Sequence, residues 1–87
     1  MKKPKDVRKL AINAYILISA EAGKIKETAD AVSKIEGVKI AHPCWGQPDV
    51  IAFVEAEDQN DLSELVLSKI QGIDGVTSTS THIVVQF

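Results

Sequence analysis

The sequence is poor in cysteine and in long apolar runs, and each shortage excludes a class of protein. Its single cysteine, Cys44, cannot form an internal disulfide, which is typical of a reducing compartment. No apolar run approaches the roughly 18 residues that a membrane span needs, and no apolar signal core follows the basic start. We therefore expect a cytoplasmic protein that does not enter a membrane.

Motifs for metal binding and for common catalysis are also missing. The sequence has no Gly-rich phosphate loop, no zincin histidine pair and no recurring aromatics on which bases could stack. His42 and Cys44 lie two positions apart, and His82 is the other histidine, but these residues lack a paired metal-ligand spacing. The sequence therefore predicts neither a metal site nor another cofactor.

Charge is distributed unevenly along the 87 residues. Residues 1–10 hold five basic residues and one acidic residue, a net charge of +4, while the other 77 residues carry −6 of the total of −2. An acidic body argues against nucleic acid as a direct partner. We interpret residues 1–12 as a short basic arm and residues 13–87 as one domain, small enough to need help from a partner.

An internal repeat organises that domain. The segment Ser33–Val38 is similar in sequence to Ser68–Ile73, and each copy lies at the end of a helical segment that precedes a strand. Two β-α-β halves follow, with strands predicted at 14–20, 38–44, 49–57 and 76–87. The helices are predicted from apolar residues at helical spacing, namely Ile25, Ala29, Val32 and Ile35, then Leu62, Leu65, Val66 and Ile70. Asp58 or Asp61 is suited to cap the second helix.

Right-handed crossovers joined by a hairpin predict a ferredoxin-like α+β fold of the dimeric α+β barrel type. Both helices then lie on one face of a four-stranded antiparallel sheet, and the other face is bare. Yet Val50–Val54 and Ile83–Val85 are apolar on both sides, where a half-exposed strand would alternate. The pattern therefore predicts that a second copy of the chain covers the bare face, giving a homodimer or a larger homo-oligomer.

Two polar loops form a candidate site for a small zwitterion. Gly46 and Pro48 are turn formers, and Asp49 follows them with little expected apolar burial, so its carboxylate could accept from an ammonium group. Thr79 and Thr81 point the same way along a strand and could bond a carboxylate. The alternative is a plain hairpin turn and an exposed Thr-rich strand. Trp45, the only tryptophan, is either a wall of the pocket or an anchor of the dimer interface.

The spacing of these residues resembles a known family. The pattern Gly46-x-x-Asp49, followed by a strand, a helix and Gly75-Val76-x-x-Thr79-x-Thr81-x-Ile83-Val84, is similar to the ligand-binding domain of the Lrp/AsnC transcriptional regulators, also called the RAM domain. The resemblance covers roughly residues 13–87. It implies a ferredoxin-like fold, dimers formed through the sheets, and rings of dimers that bind free amino acids between neighbouring dimers. The effector contacts that it implies are Trp45, Gly46, Gln47 and Asp49, with Thr79, Thr81 and His82.

The chain also departs from that family. Full-length members carry an N-terminal helix-turn-helix, whereas only about a dozen residues precede the first predicted strand here. We therefore expect no sequence-specific DNA binding by this chain itself. Trp45 and Pro48 are not typical of the family turn. The resemblance implies a stand-alone version that senses an amino acid or co-assembles with a full-length Lrp/AsnC regulator.

Our first hypothesis is therefore a non-enzymatic amino-acid-binding and oligomerisation module that modulates transcription or amino-acid metabolism. The alternative is a small dimeric α+β barrel enzyme with His42, Asp49 or His82 as a general acid or base. A third is a purely structural assembly domain. An enzyme should have a walled pocket within each protomer or dimer barrel, whereas a sensor should have its pocket between protomers, near Gly46 and Thr79.

Overall fold

A computed structural model describes residues 11–85 of the chain, which follow the order β-α-β-β-α-β. The elements are β1 (Ile12–Ala20), α1 (Ile25–Ser33), β2 (Val38–Pro43), β3 (Val50–Ala56), α2 (Gln59–Glu64), a π-helix (Leu65–Ile70) that continues α2, and β4 (Val76–Ile83). The predicted ferredoxin-like α+β fold is confirmed. Most of the predicted basic arm lies outside the described residues.

The four strands form one antiparallel sheet in the order β2-β3-β1-β4. The central strand β1 fixes the register on both sides, because Ile18 lies opposite Val50 of β3 and opposite Thr79 of β4. The register of β1 with β4 shifts between Ser19 and Ala20. This irregularity lies at the end of the sheet where the β2–β3 hairpin turns.

The core lies between the sheet and the helices. Strand β1 alternates strictly, with Ala14, Ile16 and Ile18 fully buried against the helices and the residues between them on the other face. The remaining core side chains come from β3 and the helices: Val50, Ala52, Val54, Ala56, Ala29, Val32, Leu62, Leu65, Val66 and Ile70. Truncating one of these large side chains to alanine should cost roughly 2–5 kcal/mol of folding free energy.

The second helix begins and ends with identifiable hydrogen bonds. The Asp58 carboxylate accepts from the backbone N–H of Asp61 at 2.8 Å, so Asp58 is the N-cap that the sequence offered. At the other end, the N–H of Gln71 donates to the carbonyl of Val66, five residues back, at 2.9 Å. This wider π-helical turn brings Leu65 and Ile70 onto the same buried side of the segment.

The face of the sheet opposite the helices, which we call the open sheet face, carries an apolar patch. Tyr15 of β1 and Phe53 of β3 are direct cross-strand partners, with ring centroids 4.9 Å apart. Leu17, Ile51 and Ile40 share the face, and Tyr15 and Ile40 are each 47% exposed. The prediction of a bare sheet face with apolar residues is confirmed for the described part of the chain.

The strands are shorter than predicted at the hairpin and at the end of β4. Strand β2 stops at Pro43 and β3 starts at Val50, and just beyond this pair the Cys44 N–H donates to the Asp49 carbonyl at 2.8 Å and closes the turn. Strand β4 stops at Ile83 rather than continuing to 87; Val84 still donates to the Asn13 carbonyl at 2.8 Å, and residues 86–87 lie outside the described range. Helix α1 likewise ends at Ser33, two residues before the predicted Ile35.

Candidate ligand-binding site

The turn of the β2–β3 hairpin, residues 44–49, projects from one end of the sheet. Gly46 has a φ of +90°, a left-handed conformation that glycine adopts at little cost, and no neighbouring atom lies within 4 Å of the place where a side chain would begin. Trp45 beside it is fully exposed, with 102% relative accessibility. The turn therefore presents a large aromatic side chain and an accessible stretch of backbone to solvent.

Asp49 does not have the exposed position that the sequence suggested. It is 8% exposed, and its Oδ2 accepts a hydrogen bond from the backbone N–H of Ala20 at 2.8 Å. Its own N–H donates to the carbonyl of Ile18 at 2.9 Å. The expectation of little burial is wrong, because the bend at the end of β1 turns the Ala20 N–H toward the carboxylate. One oxygen of Asp49 is thus already engaged within the chain.

Gln47 forms one long hydrogen bond with strand β1. The hydroxyl of Ser19 donates to Gln47 Oε1 at 3.3 Å, and both residues lie near the surface. Ser19 lies opposite Ser78 of β4, so the turn and the start of β4 approach the same end of β1. Gln47 thus lies beside the part of β1 that pairs with the start of β4, while the two-loop site itself stays a prediction.

The three predicted site residues of β4 lie on two faces. Thr79 and Thr81 pair with Ile18 and Ile16, whose side chains are buried under the helices, so both threonines point to the helix side. His82 pairs with Tyr15 and lies on the open sheet face, where its Nε2 is 3.1 Å from Ser80 Oγ. A single ligand molecule cannot contact Thr79, Thr81 and His82 of one chain from one side.

Asp49 and Thr79 are also kept apart by the topology. Strand β1 lies between β3 and β4, so the two residues are separated by about 10 Å, twice the usual spacing between neighbouring strands. Thr79 Oγ1 already accepts from the Gln71 side-chain amide at 2.8 Å. Within one protomer these two side chains are therefore not placed to hold opposite ends of one zwitterion, and their contacts with a ligand between protomers stay a prediction.

His42 and Cys44 do not form a reactive pair. Cys44 lies beyond the end of β2, and its Sγ is 3.6 Å from the backbone carbonyl of His42 rather than from the imidazole. His82 is on β4, at the opposite edge of the sheet. Within residues 11–85, no three His, Cys, Asp or Glu side chains are grouped as a metal ion would require.

A shallow groove, which we call the β4 groove, lies between the second helical segment and β4. It has a volume of about 370 Å³. Its apolar lining residues are Leu62, Val66, Leu67 and Ile83, and its polar lining residues are Gln59, Ser63 and Thr81. Leu67 is 63% exposed. The sequence analysis did not identify this groove, although Leu67 interrupts the polar side of the helix and could have indicated it.

A second depression, of about 420 Å³, lies at the other side of the helical segment. Acidic residues dominate its lining, which includes Glu36, Glu55, Glu57, Asp61 and Glu64 beside Lys69. None of the predicted ligand-binding residues contributes to it. Its charge makes it a poor receptor for a carboxylate.

One surface ion pair ties the start of α1 to the loop before β4. Lys24 Nζ lies 2.8 Å from Asp74 Oδ2. The hydrogen bond from Lys24 holds the pKa of Asp74 below its ordinary value, and the same bond with Asp74 raises the pKa of Lys24. Both groups face solvent, so the pair adds little to the stability of the fold. Its main effect is to hold the loop before β4 in position.

Together these features define a ferredoxin-like domain with an exposed hairpin turn and an uncovered sheet. Comparison with known proteins gives the family. The Lrp/AsnC ligand binding domain matches residues 13–86, and the chain belongs to that family. Among the described residues, no helix is long and apolar enough to cross a membrane.

The relatives are transcriptional regulators. The chain is 32% identical over 72 residues to the HTH-type transcriptional regulator PH0140 of Pyrococcus horikoshii, a match that covers 83% of this chain and 46% of the relative. The chain thus spans about half the length of that curated relative. This finding supports a regulatory ligand-binding role.

Solved structures agree on the fold. The hypothetical protein PHS023 from Pyrococcus horikoshii superposes with a TM-score of 0.79 at 30% identity, covering 87% of this chain and 92% of that one. The transcriptional regulator NMB0573 of Neisseria meningitidis, solved as an L-Met complex, has a TM-score of 0.79 at 25% identity, covering 99% of this chain and 56% of that chain.

Proposed function

We propose that this domain binds a free amino acid without chemical conversion and, in doing so, modulates transcription or amino-acid metabolism. The site lies between copies of the chain, where the hairpin turn at Trp45, Gly46 and Gln47 of one copy meets strand β4 of another. The observation that carries the proposal is the arrangement of the family-matched residues. The turn extends from one end of the sheet with Trp45 fully exposed, whereas Thr81 lies on β4, an edge strand of the same sheet.

The ligand class follows from the chemistry of these groups. A bound α-amino acid presents one carboxylate and one ammonium group, and needs donors and acceptors close to an apolar wall. The hairpin supplies exposed backbone, the Gln47 amide and the indole of Trp45, while Thr81 supplies an exposed hydroxyl on the helix side of β4. The L-Met complex of the Neisseria regulator supports this class of ligand.

Asp49 supports the site indirectly in this proposal. Its bonds to Ala20 and Ile18 fix the base of the hairpin turn against β1. The other carboxylate oxygen is then held in a defined place at the edge of the turn. Asp49 thereby positions the backbone of Gly46 and Gln47, and we assign it to the site in that role.

Dimerisation through the open sheet face completes the proposed module. The patch of Tyr15, Leu17, Ile40, Ile51 and Phe53 is contiguous across three strands. Exposed apolar patches of this kind on soluble domains mark interaction surfaces. A second copy covers it, and a full-length Lrp/AsnC regulator, sharing the same domain, could replace that second copy in the cytoplasm.

Thermal-shift screening against the twenty amino acids tests ligand binding. A true ligand at 100 times its dissociation constant should stabilise the protein by about 2.7 kcal/mol. Calorimetry on Thr81→Val should then show affinity reduced about tenfold or more, as for loss of a hydrogen bond to a charged group. Thr77→Val is the matched control, since Thr77 is an exposed threonine of the same strand. No stabilisation by any amino acid would contradict the proposed ligand class.

Light scattering tests the dimer separately. The wild type at micromolar concentration should contain no 9.4 kDa species. Tyr15→Glu should abolish the sheet-face dimer and lower the mass, because a charge would be buried in the apolar interface. Ser33→Glu, at an exposed site on the last residue of α1, should leave the mass unchanged. A monomeric wild type would contradict the dimer and the site between copies together.

A further inference from the structure

We propose that Trp45 of one protomer inserts into the β4 groove of a neighbouring protomer, so that the chain joins head to tail into a ring or a longer assembly. This inference deepens the assembly part of the proposed function and identifies its anchor. It does not depend on an amino acid being bound.

Trp45 is unusual in being a fully exposed tryptophan on a constrained turn. Its indole has 102% relative accessibility, while the Cys44–Asp49 hydrogen bond of 2.8 Å closes the turn that carries it. A tryptophan buries roughly 150–250 Å² when it is covered, and tryptophan is enriched among residues that dominate interface energies. Because the turn is already closed, little backbone conformational entropy is lost when a partner covers the side chain.

The β4 groove matches an indole in chemistry. Its lining contains no charged side chain, its four apolar residues are aliphatic, and Gln59, Ser63 and Thr81 offer hydroxyl or amide oxygens. An indole needs an apolar surface for its rings and one acceptor for its single N–H. The acidic depression near Glu57 offers no comparable apolar floor. Leu67 and Ile83, at 63% and 44% exposure, are the groove residues that a guest would cover.

The geometry excludes insertion within one chain. The hairpin turn adjoins the end of the sheet where Ile18 pairs with Val50, whereas Ile83 of the groove pairs with Ala14 at the other end. Strands β2 and β4 are also the two edges of the sheet. Three strand spacings and four residues along a strand together separate the two features by about 20 Å.

A contact between two different surfaces of identical chains is heterologous. Each protomer then carries one anchor, Trp45, and one receptor, the β4 groove. Repeating the contact gives a ring if the rotation closes or a filament if it does not. The open sheet face is a separate surface, so both contacts can form at once. A dimer joined through its sheets would carry two anchors and two grooves.

Sedimentation velocity on wild type, Trp45→Ala and Leu67→Glu, without any amino acid, tests the proposal. Both variants should lose assemblies larger than the sheet-face dimer, with the contact weakened by more than about tenfold. Both positions are exposed, so the folded domain should survive, which circular dichroism verifies. Ser68→Glu, next to Leu67 on the same segment but outside the groove, should behave as wild type.

Mixing the two variants provides the decisive measurement. Trp45→Ala protein keeps an intact groove and Leu67→Glu protein keeps an intact anchor, so an equimolar mixture should regain larger assemblies that neither variant forms alone. Since Trp45 is the only tryptophan, its fluorescence emission should shift to shorter wavelength in the mixture. No recovery on mixing, or a Trp45→Ala protein that assembles like wild type, would overturn the proposal. Amino-acid binding by wild type is measured independently, so the two failures are distinguishable.

Discussion

The carboxylate of Asp49 and the backbone N–H of Ala20 form a 2.8 Å hydrogen bond that joins the end of β1 to the start of β3. The bond lies where the register of β1 with β4 shifts. At such a shift an N–H loses its usual partner in the ladder, and a side-chain acceptor can take its place. Asp49 is therefore a structural residue of the hairpin base as well as a residue of the proposed site.

Replacing Asp49 by alanine should destabilise the fold by about 1.5–3 kcal/mol, because it removes a charge-assisted hydrogen bond and leaves the Ala20 N–H without its acceptor. For a domain of this size, that corresponds to a fall in melting temperature of roughly 6–24 °C. Differential scanning calorimetry measures the change. Asp49→Asn, which keeps an acceptor oxygen, should lose less. A melting temperature for Asp49→Ala within error of wild type would contradict the structural role.

Thr28→Val should leave the fold as stable as wild type or make it more stable. Thr28 is 1% exposed, and its Oγ1 finds no hydrogen-bond partner among the described residues. An isosteric methyl group removes the cost of burying that hydroxyl, which is about 1–3 kcal/mol. Urea denaturation checks the sign. Thr28→Ala is the control that should destabilise, since it also removes the packed methyl group.

Gly75→Ala should destabilise the domain. Gly75 has a φ of +104°, and a Cβ there would lie 2.8 Å from Thr28 Oγ1 and 3.4 Å from the Lys24 side chain. The left-handed backbone conformation alone costs roughly 1–2 kcal/mol for a residue with a side chain, and the close contact with Thr28 adds to that cost. Gly46→Ala is an informative comparison, because its φ is also positive but no atom lies within 4 Å. Denaturation of both variants should show a larger loss at Gly75, and equal losses would argue against the contact.

The Lys24–Asp74 ion pair should give a small stability difference that depends on pH and salt. Because the folded-state pKa of Asp74 lies below its ordinary 3.8, its stabilisation is present above that pH and is lost as the pH falls through the lowered pKa. The raised pKa of Lys24 adds stabilisation that is present below 10.5 and lost as the pH rises through the folded value.

Melting curves of Asp74→Asn and wild type should therefore differ most at neutral pH and low salt. The difference should shrink below pH 3.8 and at about 1 M salt, where the Debye length is about 3 Å. Asp30→Asn is the control, since its pair with Lys26 is longer, at 3.6 Å. A difference that persists unchanged in high salt would show that Asp74 acts through something other than this pair.

Much of the fold was predictable because it depends on local periodicity. The repeat of Ser33–Val38 and Ser68–Ile73 correctly indicated two β-α-β halves, and Val50–Val54 correctly indicated a strand with apolar side chains on both faces of the sheet. Strand ends were predicted less well. They depend on single hydrogen bonds, such as that between Cys44 and Asp49, which no hydrophobic pattern reports.

The site was predictable only in part. Alternation along β4 correctly placed Thr79 and Thr81 on one face, and the same rule puts His82 on the other. Which face meets the helices depends on the register with β1, which the sequence does not specify. The burial of Asp49 depends on the irregularity at Ser19 and Ala20, which likewise has no signature in composition or spacing.

The pairing of β1 with both neighbours also determines where attachments can be made. Ile12 at the start of β1 lies opposite Ala56, and Ile83 at the end of β4 lies opposite Ala14, so both ends of the described chain leave the sheet at the same end. The hairpin turn with Trp45 projects from the opposite end. Both of these ends are therefore distant from the turn. A pulling force applied through residues 12 and 83 would separate β1 from β4 one hydrogen-bonded pair at a time, because their bonds run perpendicular to the strands.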